Sequence, residues 1–355
     1  MKILVMGGTG AMGFHLVSFL AKQGNQVVVT SRTRSGRDGN VEYVTGNARD
    51  ERFITGLLNQ HWDAIVDFMV YSTQSFQHRY RQLLNATGHY IYLSSSRVYA
   101  NSEQPITENS PRLLDVIKDQ AYIETDEYAL SKARQENILF ESAHKNWSIV
   151  RPYITYSDER LQLGVLEKED WLYRALRGKT IAACRDIQSK KTTLTFGEDV
   201  AKGMAAILGQ PSALGEAFHI TSDTSISWSE VLDTYMTVLE AYLQHRPTVT
   251  LQDLDSFMQW RSGKYQIIYD RLYNRQFDNA KIDRYIDRSS FLDPRVGLAQ
   301  CLESFITSKN PQFKVLNWRE EGIKDRMFGE RMPITAIPGL KQKAKYCISR
   351  FSPFA

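Results

Sequence analysis

MKILVMGGTGAMG, residues 1–13, opens the chain, and its reading decides the fold. KILVM (2–6) is a short apolar run, the pattern of a strand buried on both faces. Gly7, Gly10 and Gly13 follow in GxxGxxG spacing, and residues 11–23 then read as a helix with Phe14, Leu16, Val17 and Leu20 available for burial. Glycine permits a tight turn and lets backbone approach a pyrophosphate closely. The helix start, with Ala11 and Met12 beside Gly13, would offer free N–H groups and a positive dipole to phosphates. A turn that only lets strand and helix pack is the plainer alternative. The strand before it and the helix after it argue against that alternative.

Outward from this opening, QVVVT (26–30), WDAIVDFMV (62–70), HYIYLSS (89–95) and WSIVRPY (147–153) read as further strands. Helical stretches at 75–86 and 126–144 separate them. Strands alternating with helices at this spacing predict βαβ units and an α/β fold with a doubly wound parallel sheet. A helix at 199–208 and a strand at 216–222 would return to that sheet. The expected organisation is a dinucleotide-binding domain over 1–153, with returning segments near 192–222 and 281–307. A smaller substrate-binding region would span 154–191 and 223–280. Residues 308–355 read as a C-terminal extension, packed or solvated. Its basic end, LKQKAKYCISRF (340–351), leaves a partner or membrane-surface contact as the sharper alternative.

The composition excludes more than it assigns. With 355 residues, 42% hydrophobic and 24% charged, the chain is ordinary globular protein. A net charge of +4 is too small to argue for nucleic acid. No 18-residue apolar span predicts a transmembrane helix, and KILVM is too short for a signal peptide. Cys184, Cys301 and Cys347 are widely spaced without a CxxC, which predicts a reduced cytoplasmic protein with no structural metal.

The chemistry sits in three places. At the end of the second strand the chain reads Thr30, Ser31, Arg32, Thr33, Arg34, with no carboxylate to take a ribose 2′-hydroxyl. Arg32 or Arg34 could instead neutralise a 2′-phosphate, which implies NADP(H) over NAD(H). Asn47, in Gly46-Asn47-Ala48, could set an amide against the adenine edge. Ser94, Ser95 and Ser96 end a strand at the carboxyl edge of the sheet, where ligands bind in open α/β folds. In EYALSKARQE (127–136), Tyr128 and Lys132 stand four apart and share one helix face. A free phenol has a pKa of about 10, and a nearby ammonium lowers it. Tyr128 would then move a proton, with Lys132 tuning it and holding the nicotinamide ribose.

These residues resemble the extended short-chain dehydrogenase/reductases, the NAD-dependent epimerase/dehydratase family, over roughly residues 1–225. The fingerprint TGxxGxxG appears as MGGTGAMG, and SSxxVYG as Ser94-Ser95-Ser96-Arg97-Val98-Tyr99-Ala100. By position, the family's catalytic Ser/Thr falls on Ser95, and YxxxK falls on Tyr128 and Lys132. RPxxxYG resembles Arg151-Pro152-Tyr153-Ile154-Thr155-Tyr156, which implies a cofactor contact at Pro152. The resemblance implies a Rossmann-like fold, a nucleotide-linked sugar as substrate, and a homodimer formed through helices such as 75–86 and 126–144. The usual HxAA is replaced by Asp67-Phe68-Met69-Val70-Tyr71, a loop that approaches the cofactor near Met69. Where dehydratases carry an acidic pair, this chain has Ser96 and Arg97. The departures resemble an atypical branch that includes the chloroplast stem-loop-binding proteins.

The reading that follows is an NADPH-dependent reductase of a nucleotide-linked keto sugar. The alternatives are a nucleotide-sugar epimerase with tightly bound NAD(P), and a dinucleotide-dependent RNA-binding or scaffolding protein.

Overall fold

Successive side chains of a strand point to opposite faces, and the first strand shows it in its core contacts. In β1 (Lys2–Met6), Ile3 and Val5 join one hydrophobic layer with Leu16, Val17 and Leu20 of α1 (Gly13–Lys22). The helix Gly197–Ile207 adds Val200, Ala201, Met204 and Ile207 to that layer. Leu4 and Met6 face the other way, with Ile54 and Leu58 of α2 (Glu51–Leu58) and Phe76, Tyr80 and Leu83 of α3 (Thr73–Asn85). Both faces are therefore buried, which is why the strand has no polar alternation. The computed structural model describes residues 1–352.

The sheet has eight strands. Seven of them carry the labels β1, β2 (Gln26–Ser31), β3 (Gly36–Asp38), β4 (Val41–Thr45), β5 (Trp62–Asp67), β6 (Thr87–Leu93) and β7 (Trp147–Arg151). The eighth, Glu216–His219, lies at one edge beside β7, and the order then runs β6, β5, β1, β2, β4, β3. All pairs are parallel except β3 on β4. This is the α/β, Rossmann-like sheet the sequence predicts. Val5 pairs with Val29 on one side and Val66 on the other, so the winding reverses at β1. A crevice outside the carboxyl ends of the strands forms at such a switch point.

Three expectations change. The helix begins at Gly13, and Phe14, about 100° round it from Gly13, is 55% exposed rather than buried. β3 and β4 were not read from the sequence, because VEYVT carries polar residues and lies near an edge where one apolar face suffices. The chain also divides differently from the expected boundaries. One unit comprises Met1–Tyr156, Thr193–Ser225 and Arg275–Pro294; the other comprises Ser157–Thr192, Ile226–Asn274 and Arg295 onward. Residues 295–307 thus cluster with the second unit instead of returning to the sheet. So does the described part of the 308–355 extension; residues 353–355 lie outside the described residues.

The second unit is held partly by buried charge. Arg174, on the helix Lys168–Ala175, meets Glu321 at 2.7 Å and Asp325 at 3.0 Å, both on the helix Trp318–Met327. The last helix, Gly339–Phe351, crosses that helix at Gly322, where an added Cβ would lie 2.6 Å from the Tyr346 carbonyl oxygen. A glycine is what lets the two backbones approach so closely.

One buried histidine in the first unit gives a pH prediction. His89 of β6 accepts from the Gly209 amide at Nδ1 (2.9 Å), and its Nε2 lies 2.8 Å from Ser148 Oγ. Protonation would aim two N–H groups at one donor and one acceptor. Burial lowers the pKa to about 4, and it does the same to His219. The unfolded chain titrates near 6.5 and so binds more protons between pH 6.5 and 4. Each histidine should remove about 3 kcal/mol of stability across that window as pH falls. Urea unfolding at several pH values should show this slope, and His89→Gln should reduce it; an unchanged slope would mean that His89 does not contribute.

Candidate active site

Glycine geometry shapes the first part of the site. Gly7 has φ +73°, a region side-chain-bearing residues rarely enter, and its amide donates to Thr30 Oγ1 at 3.0 Å. A Cβ on Gly7 would lie 3.1 Å from the sulfur of Met69, so the loop after β5 packs directly on this turn. At Gly10 an added Cβ would meet nothing within 4 Å, and the residue faces open space. Gly13 serves packing instead, since a Cβ there would lie 2.7 Å from Gly8 Cα. Ala11 closes the far side: its carbonyl oxygen would lie 2.5 Å from a Cβ on Gly197. Met12 receives the Thr155 hydroxyl at its sulfur (3.7 Å) and is the N-cap of α1. No side chain caps that helix end, and no acid stands in its first turn. An open glycine face before an uncapped helix start fits the pyrophosphate of a dinucleotide.

At the end of β2, the Ser31 hydroxyl accepts from the amides of Thr33 (3.3 Å) and Arg34 (3.0 Å). That clamp turns the chain outward and leaves Arg32 and Arg34 exposed. The Arg34 guanidinium rests 5.8 Å from the ring centre of Tyr43, and the Arg34 carbonyl accepts from the Thr45 hydroxyl at 2.6 Å. Asn47 is exposed, with its carboxamide oxygen accepting from the Arg49 amide at 3.0 Å.

The three serines after β6 divide their tasks. Ser94 donates to Glu136 Oε1 (2.6 Å) and Ser96 donates to the Arg151 carbonyl (2.7 Å). Ser95 instead accepts from the Arg97 amide (3.2 Å), a contact that leaves the hydroxyl proton for a ligand. Pro152 follows β7, and its carbonyl accepts from the Ser96 amide at 2.9 Å, fixing the turn. Tyr128 is the first residue of the helix Tyr128–Glu141, half-buried, and Lys132 is fully enclosed one turn later. Lys132 Nζ donates to the Leu93 carbonyl (2.7 Å) and lies 6.0 Å from the centre of the Tyr128 ring. Burial lowers the Lys132 pKa to about 8, against the opposing pull of Asp67 and Glu136. Lys132 is therefore a cation at neutral pH, though a weakly held one.

Two groups with no role assigned from the sequence complete the arrangement. Arg97 lies over the Tyr128 ring at 5.3 Å and is fixed by Glu127, 2.7 Å away. The Tyr128 ring thus has two cations within about 6 Å of its centre, Arg97 at 5.3 Å and Lys132 at 6.0 Å. Asp67, at the end of β5, is buried and accepts from the Met69 amide (2.9 Å), Tyr71 (3.0 Å) and Tyr90 (2.8 Å). Burial raises its pKa although those three donors and Lys132 oppose the rise. Below them Glu136 takes a two-pronged ion pair from Arg151, at 2.8 Å for each contact. The signal for these groups was charge inside apolar stretches, as in WDAIVD.

The structure thus joins Gly7 to Met69, links Ser95 to Tyr128 through Arg97, and sets Lys132 beside the same Tyr128 ring, while Arg32, Arg34 and Asn47 remain on the surface.

The fold is shared with known proteins. A structure of WbmH from Bordetella bronchiseptica in complex with NAD+ superposes with a TM-score of 0.64 at 17% identity, covering 87% of this chain and 99% of that one. UDP-glucuronic acid 4-epimerase from Bacillus cereus, solved with UDP-glucuronic acid and NAD, gives a TM-score of 0.63 at 18% identity, covering 85% and 98%. Likeness at such identity speaks for the fold. Among curated proteins, chloroplast stem-loop binding protein of 41 kDa b from Arabidopsis thaliana is 23% identical over 243 residues, 64% of this chain and 60% of that protein's length. The profile of the NAD dependent epimerase/dehydratase family matches residues 3–221, and the chain belongs to that family of enzymes.

Proposed function

We propose that the chain is an NADPH-dependent reductase acting on the keto group of a nucleotide-linked sugar. The observation that carries this reading is the Tyr128 ring, with the cations Lys132 and Arg97 6.0 and 5.3 Å from its centre and Arg97 following the turn that Ser95 opens. A bound nicotinamide dinucleotide would supply the hydride. Tyr128 gives its proton to the carbonyl oxygen as negative charge develops there. The Ser95 hydroxyl donates to the same oxygen, and the two cations favour the phenolate left behind. The glycine turn and the uncapped start of α1 would hold its pyrophosphate. Ser31, Arg32 and Arg34 form the end of β2 that would meet a 2′-phosphate, and no carboxylate stands there to repel it. Met69 and Pro152 would border the nicotinamide, and Asn47 the adenine.

A second reading is supported by the UDP-glucuronic acid 4-epimerase likeness, whose structure holds NAD. An epimerase oxidises and re-reduces one carbon with no net use of cofactor. The experiment that separates the two readings incubates the purified protein with NADPH and nucleotide-linked keto sugars, then with the corresponding nucleotide sugars alone. Net NADPH oxidation with appearance of an alcohol product supports the reductase. Interconversion of sugar epimers without added cofactor replaces it with the epimerase.

Cofactor choice is tested separately. Arg32→Ala with Arg34→Ala should weaken NADPH binding roughly 10–100-fold, the worth of charge-assisted contacts, and leave NADH binding nearly unchanged. Fluorescence titration would read both. Equal binding of the two cofactors by the unaltered protein, or tightly retained NAD on purification, would overturn the NADP(H) assignment.

A further inference from the structure

The last helix, Gly339–Phe351, places Tyr346 and Ser349 inward, both buried. The Tyr346 hydroxyl donates to Asp325 at 2.6 Å and accepts from the Met332 amide at 2.7 Å, so this face is locked to the second unit. The opposite face is bare. Leu340 is 86% exposed, Ile348 58% and Phe351 62%, and Ala344 is exposed between them. These four positions are spaced by four, four and three residues, which puts them on one line along the whole helix. At about 100° per residue, Lys341 and Lys345 fall along one border of the line, and Lys343 and Arg350 along the other. The stretch GLKQKAKYCISRF contains no acidic residue. Lys341, Lys343 and Lys345 meet no carboxylate among the described residues, whereas Arg350 donates to the Glu330 carbonyl at 2.9 Å.

We propose that this face is a docking surface for an anionic lipid bilayer. An exposed apolar line bordered on both sides by cations is the arrangement of a helix lying in the plane of the interface. The apolar side chains enter the boundary between headgroups and acyl chains, and the lysines stay at the level of the phosphates. Charge selects this occupant. Unpaired lysines on both borders complement a continuous anionic plane, each contributing favourably near the surface. The helix is about 20 Å long by its rise per residue, so it lies on a membrane and does not cross one. No helix among the described residues is long and apolar enough to span a bilayer. The inward face is occupied by packing, so the helix would dock as part of the folded unit and not as a free peptide.

The test uses the full chain and flotation with two kinds of vesicle: phosphatidylcholine alone, and phosphatidylcholine mixed with phosphatidylglycerol. The protein should float with the anionic vesicles at low salt, float less as salt rises, and stay in solution with phosphatidylcholine alone. Leu340→Ser with Ile348→Ser and Phe351→Ser should lower partitioning about tenfold or more. Lys341→Gln with Lys343→Gln and Lys345→Gln should lower it about tenfold or more through charge alone. All six positions lie off the buried face, and an unchanged thermal transition in each variant would show that the fold is intact. No flotation, or equal flotation with phosphatidylcholine alone, overturns the proposal. Concentration-dependent self-association abolished by the same apolar substitutions also overturns it, because the face would then belong to a second copy of the chain.

Discussion

Tyr128→Phe is expected to leave dinucleotide binding in place and to cut turnover about 10²–10⁴-fold, the range of a lost general acid. The substitution removes one oxygen. It keeps the ring over which Arg97 lies at 5.3 Å and the helix start that Glu127 caps. Lys132 keeps its bond to the Leu93 carbonyl, because that contact does not involve Tyr128. Steady-state rates with NADPH, set beside a cofactor titration, would read both halves of the expectation. Loss of kcat with unchanged cofactor affinity would assign the proton to Tyr128. Full turnover in the variant would remove Tyr128 from the chemistry. The unaltered enzyme adds a pH signature. Lys132, lowered by burial to about 8, loses its charge as pH rises through that value, and the support it lends the phenolate goes with it. Turnover should therefore decline above pH 8.

The parts of the fold that rest on local pattern were legible. Apolar runs such as KILVM and QVVVT named strands buried on both faces, and alternate residues of KILVM do face different layers. The glycine spacing located the loop, although it could not separate Gly10, which faces open space, from Gly13, which only packs on Gly8. Tyr128 and Lys132 were readable because a helix brings positions four apart together by geometry alone. Ser95 could be preferred over its neighbours only by resemblance; in the structure Ser94 donates to Glu136 and Ser96 to the Arg151 carbonyl, which no sequence pattern announces. What escaped the sequence was charge buried by distant partners. Glu136 had no reading from the sequence and Arg151 stood only as part of a strand and a motif, yet both are almost wholly enclosed and paired with each other. The C-terminal stretch was harder still. Its helices look solvated because their charges are countered by residues about 150 positions earlier, and no window of sequence contains both members.

Arg174→Met tests that last point and should be the most damaging single change in the second unit. Arg174 is fully buried; besides Glu321 and Asp325 it reaches Glu330, and its Nε donates to the Thr180 carbonyl at 2.7 Å. Methionine fills much of the same space without charge. Glu321 and Asp325 would then stay buried with less positive charge around them, because among the described residues Lys324 and Lys179 are the cations that remain paired with them. Removing one member of a buried ion pair typically costs about 3–5 kcal/mol, mostly as the penalty of the charge left behind. Burial pushes the Asp325 carboxyl up, but Lys179, Tyr346 and Arg174 outweigh it and hold its pKa below the ordinary value. A depressed carboxylate contributes stability that is present above its unfolded pKa and lost as pH falls through the folded one. Without Arg174 part of that contribution disappears, so the deficit of the variant should be largest near neutral pH and shrink in acid. Denaturant unfolding of both proteins at neutral and acidic pH measures it. A loss below about 1 kcal/mol, the scale of an exposed ion pair, would mean that these charges are solvated and that the tail is held by the apolar cluster of Tyr173, Trp318, Met332, Ile337 and Tyr346.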